Sequence, residues 1–392
     1  MNTSLALILL FALILSYVFR KMRLTAFTGM MLLGVVMGPS LLAVIDPTLM
    51  GISAELRQIA LVIILLRAGL MLNLQELKKV GRPALLMSFV PALCEIGAVI
   101  VLAPHMLDVT ILEAAVMGSV LAAVSPAVIV PKMIELTEKK RGTNAGIPQM
   151  IMAAGSVDDV FVIVLFSAAV GLVSGEAISA LTLLNIPAAI VTGILAGLVA
   201  GGALSYYFRR FHLRDTLKVL VVTSVSLLIL AAENILKGIL PLSGLLAVMT
   251  IGATIFATHA PLASRLSAKY TKLWIAAEIL LFVLIGAQLD ISLMLSGIGQ
   301  FIPFIFLALL ARMGGVSLCL LGTALTRRER LFCMISYMPK ATVQAAIGAI
   351  PLSMGLDCGN IVLTLAVLSI LITAPLGAFL IDITQKYLLR DE

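Results

Sequence analysis

The chain has 392 residues, of which 61% are hydrophobic and 12% charged, with a mean hydropathy of +1.16. Soluble domains carry roughly 25% charged residues, so this composition excludes one and describes an all-α polytopic membrane protein. The net charge of +7 and pI near 9.3 raise nucleic acid as a partner, a question that the placement of the basic residues decides.

Apolar runs predict thirteen membrane helices, at 3–19, 24–44, 53–75, 83–104, 109–134, 147–173, 182–206, 217–233, 241–258, 270–292, 296–322, 331–353 and 359–384. An N-terminus outside and a C-terminus inside put 22 of the 27 Lys and Arg residues in the cytoplasm. Basic charge therefore reports topology, and no nucleic-acid partner is expected. The first run has no basic residue before it and no small-residue cleavage pattern, so it reads as a retained helix. Cys94, Cys319, Cys333 and Cys358 lie in or beside apolar helices and read as packing residues. His105, His212 and His259 fall in loops, which disfavours a metal enzyme; no cofactor is expected.

The third run carries Arg67-Ala68-Gly69 with Asn73 beyond it, and the tenth carries Ile285-Gly286-Ala287 with Asp290 at the same offset. Equal steps from Gly69 and Gly286 reach Glu95 and Arg312, the main ionisable groups of the fourth and eleventh runs. The third run points inward and the tenth outward, so the halves form an inverted repeat, an architecture of secondary transporters. The first repeat is 1–173, the linking helix 182–206, and the second repeat 217–392. Glu95 and Arg312 are expected to touch.

The fifth run carries Val124-Ser125-Pro126 and Pro131; its repeat partner, the twelfth, carries Met338-Pro339-Lys340-Ala341-Thr342 and Gln344. Proline removes a backbone donor, and the repeat relation predicts two broken helices that meet near the membrane centre. Their carbonyl ends need a cation, a role that suits Lys340. Ser125, Ser156, Thr342 and Gln344 can offer neutral oxygens to a cation that has shed its water.

Asp158 and Asp159 stand together inside the apolar run 147–173. Each carboxylate costs about 2.5–3.5 kcal/mol at mid-membrane, and neighbours of like charge repel, so a bound cation or proton is the expected compensation. Consecutive helical residues point about 100° apart, which predicts a division of labour between the two acids. Glu278 reads as a further buried acid without an evident partner. Gly193, Gly197 and Gly201 allow close helix approach, either within one chain or between two.

These motifs, Val124-Ser125-Pro126-Ala127-Val128, Gly146-Ile147-Pro148, Ala153-Ala154-Gly155-Ser156-Val157-Asp158-Asp159 and Pro339-Lys340-Ala341-Thr342-Val343-Gln344, resemble those of the NHA-type sodium/proton antiporters of the cation:proton antiporter-2 superfamily. The resemblance implies a core domain at about 83–173 and 296–384 with two crossed broken helices, a dimerisation scaffold, a homodimer, and elevator-type alternating access. It also implies Asp159 as principal Na+ (or Li+) and proton ligand with Asp158 beside it, Ser125 and Thr342 at the crossing, and a Glu95–Arg312 core ion pair. Related antiporters with an aspartate pair often carry lysine at the position of Arg312, which opens the stoichiometry.

The expected function is secondary exchange of Na+ (or Li+) for H+ in a lipid bilayer, serving pH homeostasis, with a prokaryotic inner membrane as the expected location. The alternatives are K+/H+ antiport on the same fold and sodium-coupled symport of an organic anion. An enzyme is not expected, because no nucleophile with a base and no phosphate loop appears.

Overall fold

The computed structural model describes residues 1–22, 24–72, 81–173, 180–211, 213–236 and 241–390. Its regular elements there are helices: α1 (Asn2–Lys21), α2 (Ala26–Met37), α3 (Pro47–Gly51), α4 (Ser53–Leu70), α5 (Arg82–Met87), α6 (Val90–Leu107), α7 (Ile111–Leu121), α8 (Pro126–Glu138) and α9 (Ile147–Val173). There follow α10 (Ala180–Arg210), α11 (Asp215–Ile235), α12 (Gly244–Thr258), α13 (Ala260–Ala287), α14 (Ile291–Cys319), α15 (Arg327–Ser336), α16 (Thr342–Ile347), α17 (Ile350–Ser353) and α18 (Gly359–Leu388).

Every predicted apolar run holds helix. Among the described residues, nine segments are long and apolar enough to cross a membrane, with 82–107 and 111–138 each counted as one. The runs at 24–44, 241–258 and 331–353 hold shorter helices, and α4 carries Glu55, Arg57 and Arg67. Asn73, Arg23, Lys78, Lys79, His212 and Lys237 lie outside the described residues.

The tenth run begins at Ala260 and ends at Ala287, so Asp290 is not in a membrane helix as the hydropathy pattern suggested. It caps α14 instead, accepting hydrogen bonds from Ser292 N at 2.9 Å, Leu293 N at 3.1 Å and Ser292 Oγ at 2.6 Å. The Ser292 hydroxyl, foremost, holds this carboxyl below its ordinary 3.8. A lowered acid stabilises the fold above its unfolded pKa and loses that contribution as pH falls through its folded pKa. Asp290→Ala should therefore lower the thermal midpoint at neutral pH, with the difference from wild type vanishing well below pH 3.8.

The chain forms two compact units. The first comprises Met1–Ala54, Leu74–Val162 and Ile279–Glu392; the second comprises Glu55–Asn73 and Ile163–Glu278. In the first, α6 packs on α7 and α14, and α15 packs on α18. Its apolar core includes Met133, Ile151, Phe332, Cys333, Tyr337 and Ile381. In the second, α12 packs on α10 and α11. Tyr270 Oη lies 2.9 Å from Thr223 Oγ1 and donates to Val219 O at 3.1 Å, joining α13 to α11.

Close glycine crossings occur in both units. In the first, a Cβ at Gly34 would strike the Val283 carbonyl of α13, and one at Gly286 the Met31 carbonyl of α2. In the second, a Cβ at Gly69 would strike the Met249 carbonyl of α12, and one at Gly252 would stand 2.8 Å from Leu66 O of α4. Backbone thus touches backbone at both crossings, where only glycine leaves room. Gly286→Val should overpack its crossing and cost about 1–3 kcal/mol, read as a lower unfolding midpoint. The stripe of Gly193, Gly197 and Gly201 meets Ser243, which precedes α12, and Thr250 and Thr254 within it, so it serves packing within the chain.

Candidate functional site

α7 and α15 open with the same device. Thr110 Oγ1 accepts from Glu113 N at 3.3 Å while Glu113 Oε2 accepts from Thr110 N at 2.8 Å. Thr326 and Glu329 repeat this reciprocal capping box at 3.3 and 2.7 Å. Each helix then stops short. α7 ends at Leu121 and α8 starts at Pro126; α15 ends at Ser336 and α16 starts at Thr342. A residue before proline is pushed out of the α region, and Ser125 is extended, with φ −95° and ψ 107°. Pro131, which the sequence also offered as a breaker, lies inside α8. Gly377 makes room for the second break, since a Cβ there would stand 2.5 Å from Pro339 Cγ.

The two breaks touch through backbone: Ser125 N donates to Pro339 O at 2.8 Å. The carbonyls freed where α7 ends are then met by side chains of the second half of the molecule. Lys340 Nζ donates to Leu121 O at 2.5 Å, and Gln344 Nε2 to Leu121 O at 3.2 Å and Ala123 O at 2.6 Å. Arg312 donates to Ala122 O. Helix C-termini carry partial negative charge and unsatisfied acceptors, so two cations and an amide suit this place. Lys340 is itself held by its backbone N, which donates to Thr373 Oγ1 at 3.0 Å.

The carboxylates complete a buried network. Arg312 reaches Asp158 Oδ2 at 2.8 Å and Glu95 Oε2 at 3.3 Å, and donates from Nε to Tyr337 O at 3.1 Å. Lys340 Nζ lies 2.6 Å from Glu95 Oε1. Asp158 Oδ2 also accepts from Val124 N at 2.8 Å, which pins α9 to the first break. Glu95, Asp158 and Arg312 are fully buried, and Lys340 is 1% exposed.

Asp159 differs from its neighbour. It is buried and feels the charges of Asp158 and Arg312, yet its Oδ1 has no hydrogen-bond partner and it joins no ion pair among the described residues. Ser125 Oγ, Asp158 Oδ1 and Gln344 Oε1 are likewise buried without a partner. Three carboxylates (Glu95, Asp158, Asp159) therefore stand against two cations, Arg312 and Lys340. Buried oxygens without donors are costly, and so is a net buried negative charge. Both conditions are relieved by a bound cation or by a proton.

Glu95 and Arg312 meet as the repeat suggested, although each has a shorter contact elsewhere. Thr342 is buried at the start of α16, and the side chain of Ser156 lies outside the described residues. The amide of Gln344, read from sequence as an oxygen source, presents its nitrogen to the broken helix and keeps its Oε1 without a partner. Thr373 and the Val124 amide carried no sequence signal, whereas both T-x-x-E capping boxes were readable. Glu278 is half-buried within the charge field of Arg67, which corrects its reading as an acid without a partner. Among the described residues no group of His, Cys, Asp and Glu forms a chelating cluster of three, and all four cysteines are free.

The family model for the transmembrane sodium/hydrogen exchanger matches residues 6–384. The chain is 35% identical over 352 residues to sodium/hydrogen exchanger 9B2 of Xenopus tropicalis and 32% identical over 350 residues to the human 9B2 protein. Each alignment covers 86% of this chain and 64% of the relative, so the chain spans a little under two thirds of those proteins. The solved structure of the sodium proton antiporter MjNhaP1 from Methanocaldococcus jannaschii superposes with a TM-score of 0.84 at 20% identity, covering 98% of this chain and 97% of that one, and shares its fold. The matched curated relatives are vertebrate, so the expectation of a prokaryotic inner membrane is not borne out by them. The broken helices, the buried charge network and these matches lead to one assignment: the chain is an integral multi-pass membrane protein and belongs to the sodium/hydrogen exchanger family.

Proposed function

We propose that this chain is a secondary antiporter that exchanges Na+ (or Li+) for H+, with both competing for Asp159. The observation that carries this reading is the imbalance of three buried carboxylates against two buried cations, with Asp159 the acid left without a partner. Asp158, Ser125, Ser156 and Thr342 are the further candidate ligands. Glu95, Arg312 and Lys340 form the fixed frame that holds the crossing together.

Coupling follows from electrostatics. With Asp159 ionised and empty, the site carries one net negative charge, and an uncompensated buried ion costs several kcal/mol. Each 1.4 kcal/mol is about a tenfold change in population, so the empty site crosses rarely, while the protonated and cation-loaded sites cross freely. Elevator-type alternating access, with the site carried by core residues 83–173 and 296–384 of a homodimer, fits the family resemblance.

Arginine does not deprotonate in proteins, so Arg312 cannot carry a proton as a lysine in its place could. Lys340 is engaged by Glu95 and the Leu121 carbonyl. One exchangeable acid remains, which gives one cation per proton and electroneutral exchange. The test is proton flux into proteoliposomes driven by sodium, lithium or potassium, with and without a clamped potential. Sodium and lithium should drive flux that is indifferent to voltage. Flux driven by potassium alone would replace this reading with K+/H+ antiport, and a voltage-dependent rate would overturn the electroneutral stoichiometry.

A further inference from the structure

The two ends of the Gln344 amide are in different states. The residue is fully buried, and its Nε2 donates to Ala123 O at 2.6 Å and to Leu121 O at 3.2 Å. Both amide hydrogens are thereby used, and a flipped amide would set its oxygen against two carbonyl oxygens and waste both donors. The orientation is therefore unique. Oε1 takes the other arm of the planar amide, buried and without a partner among the described residues. The backbone beneath is equally fixed, because Gln344 O accepts from Gly348 N at 2.8 Å and a Cβ at Gly348 would strike both that carbonyl and Ala366 of α18.

This bare oxygen has company. Three consecutive residues of the first break hold the group together: Ala123 O takes the Gln344 amide, Val124 N donates to Asp158 Oδ2 at 2.8 Å, and Ser125 keeps its own hydroxyl without a partner. Consecutive Cα atoms lie about 3.8 Å apart, so these three anchors span no more than about 8 Å. Gln344 Oε1, Ser125 Oγ and Asp158 Oδ1 thus depend on one short stretch of backbone, with Asp159 next in the chain to Asp158. The cations of the crossing are committed elsewhere, Lys340 to Glu95 and Leu121 O, and Arg312 to Asp158, Glu95 and the carbonyls of Ala122 and Tyr337.

Hard cations accept amide oxygens in place of water, whereas a neutral amide holds no exchangeable proton on its oxygen. A further carboxylate would strengthen the binding of both competitors; an amide oxygen strengthens that of the cation. We propose that Gln344 is a specificity-determining residue for the transported ion, its fixed Oε1 being a neutral ligand of Na+ that weights the site toward the cation against the proton. The inference rests on the reading of Asp159 as the exchanging acid. It also ties ion size to the fold, since the nitrogen that caps α7 sets where the oxygen stands, and the small Li+ depends most on that placement.

Calorimetric titration of sodium into the purified full-length protein, repeated across a pH series, separates the two affinities. At high pH, where protons no longer compete, sodium affinity reaches a plateau set by the ligands; below a corner pH set by the acid it falls about tenfold per unit. Gln344→Met should lower the plateau about tenfold, as expected when a neutral contact to a charged group is lost, and leave the corner in place. Gln344→Asn keeps an amide one methylene short and serves should the Met variant fail to fold; it too should lower the plateau, for Li+ more than for Na+. A lower thermal midpoint with a wild-type plateau and an unchanged Li+/Na+ ratio would reduce Gln344 to a cap of α7 and overturn the proposal. A corner displaced together with the plateau would overturn its selectivity for the cation. Asp159→Asn, titrated alongside, keeps two failures apart. Proton-competed sodium binding that persists in that variant would overturn exchange at Asp159, whereas its loss there with wild-type titrations in both Gln344 variants would overturn the role of Gln344 alone.

Discussion

Replacing Asp159 with Asn is expected to reduce sodium-dependent proton flux in proteoliposomes to the protein-free background while leaving the protein folded. Asn preserves the shape of the side chain, and Asp159 gives up no hydrogen bond or ion pair among the described residues, because it makes none. What disappears is the single unbalanced negative charge. Glu95 and Asp158 would then stand against Arg312 and Lys340 in balance, with no charge left to recruit a cation or a proton. Asp158→Asn should behave differently. Its carboxylate accepts from Val124 N and pairs with Arg312, so its loss removes a fixed contact of the crossing. That variant should lose stability by about 3–5 kcal/mol, as expected when one member of a buried ion pair is removed. Equal stability of the two variants, or full flux in Asp159→Asn, would contradict the division between a structural and an exchanging acid.

Arg312→Met is expected to be among the most destabilising single changes in the chain, again by about 3–5 kcal/mol, seen as a large drop in thermal midpoint of the purified protein. The guanidinium serves Asp158, Glu95, the Tyr337 carbonyl and the Ala122 carbonyl at once, from a fully buried position. Without it, Asp158 and Glu95 depend on Lys340 alone, and the carbonyl of Ala122 at the broken end of α7 loses its donor. Arg312→Lys should recover part of the stability, because an ammonium offers three donors from a single point and cannot fork across two carboxylates. The double variant R312M/D158N should cost less than the sum of the two single changes, since each has already removed the same contact. Additive losses would show that the pair is not coupled.

Much of this arrangement was legible because membrane insertion makes sequence informative. A run such as 147–173 has few alternatives to helix, and an acid inside it calls for a reason. Pro126 and Pro339 marked both breaks because proline acts locally. The pairing of Glu95 with Arg312 followed from counting along two related segments, and the structure brings them to 3.3 Å. Counting could not reveal that Arg312 lies closer to Asp158, or Lys340 to Glu95, because the separation of residues on three different helices and in the break after α15 is set by packing and not by periodicity. Asp290 was misplaced for another reason: hydropathy averages over a window and blurs helix ends, where a single cap residue decides the boundary. Sequence shows the Gln344 amide but not that its nitrogen faces the freed carbonyls while its oxygen stays buried without a partner.

The proposed competition between Na+ and H+ for Asp159 is open to measurement without membranes or gradients. Sodium is titrated into the purified protein in weakly buffered solution, at a pH where the site is protonated, and released protons are counted against bound sodium. One proton should leave for each sodium bound, apparent sodium affinity should fall about tenfold per unit of further acidification, and Asp159→Asn should release none. Sodium binding that releases no proton from the wild-type protein, or release that persists in Asp159→Asn, would contradict a single shared carboxylate.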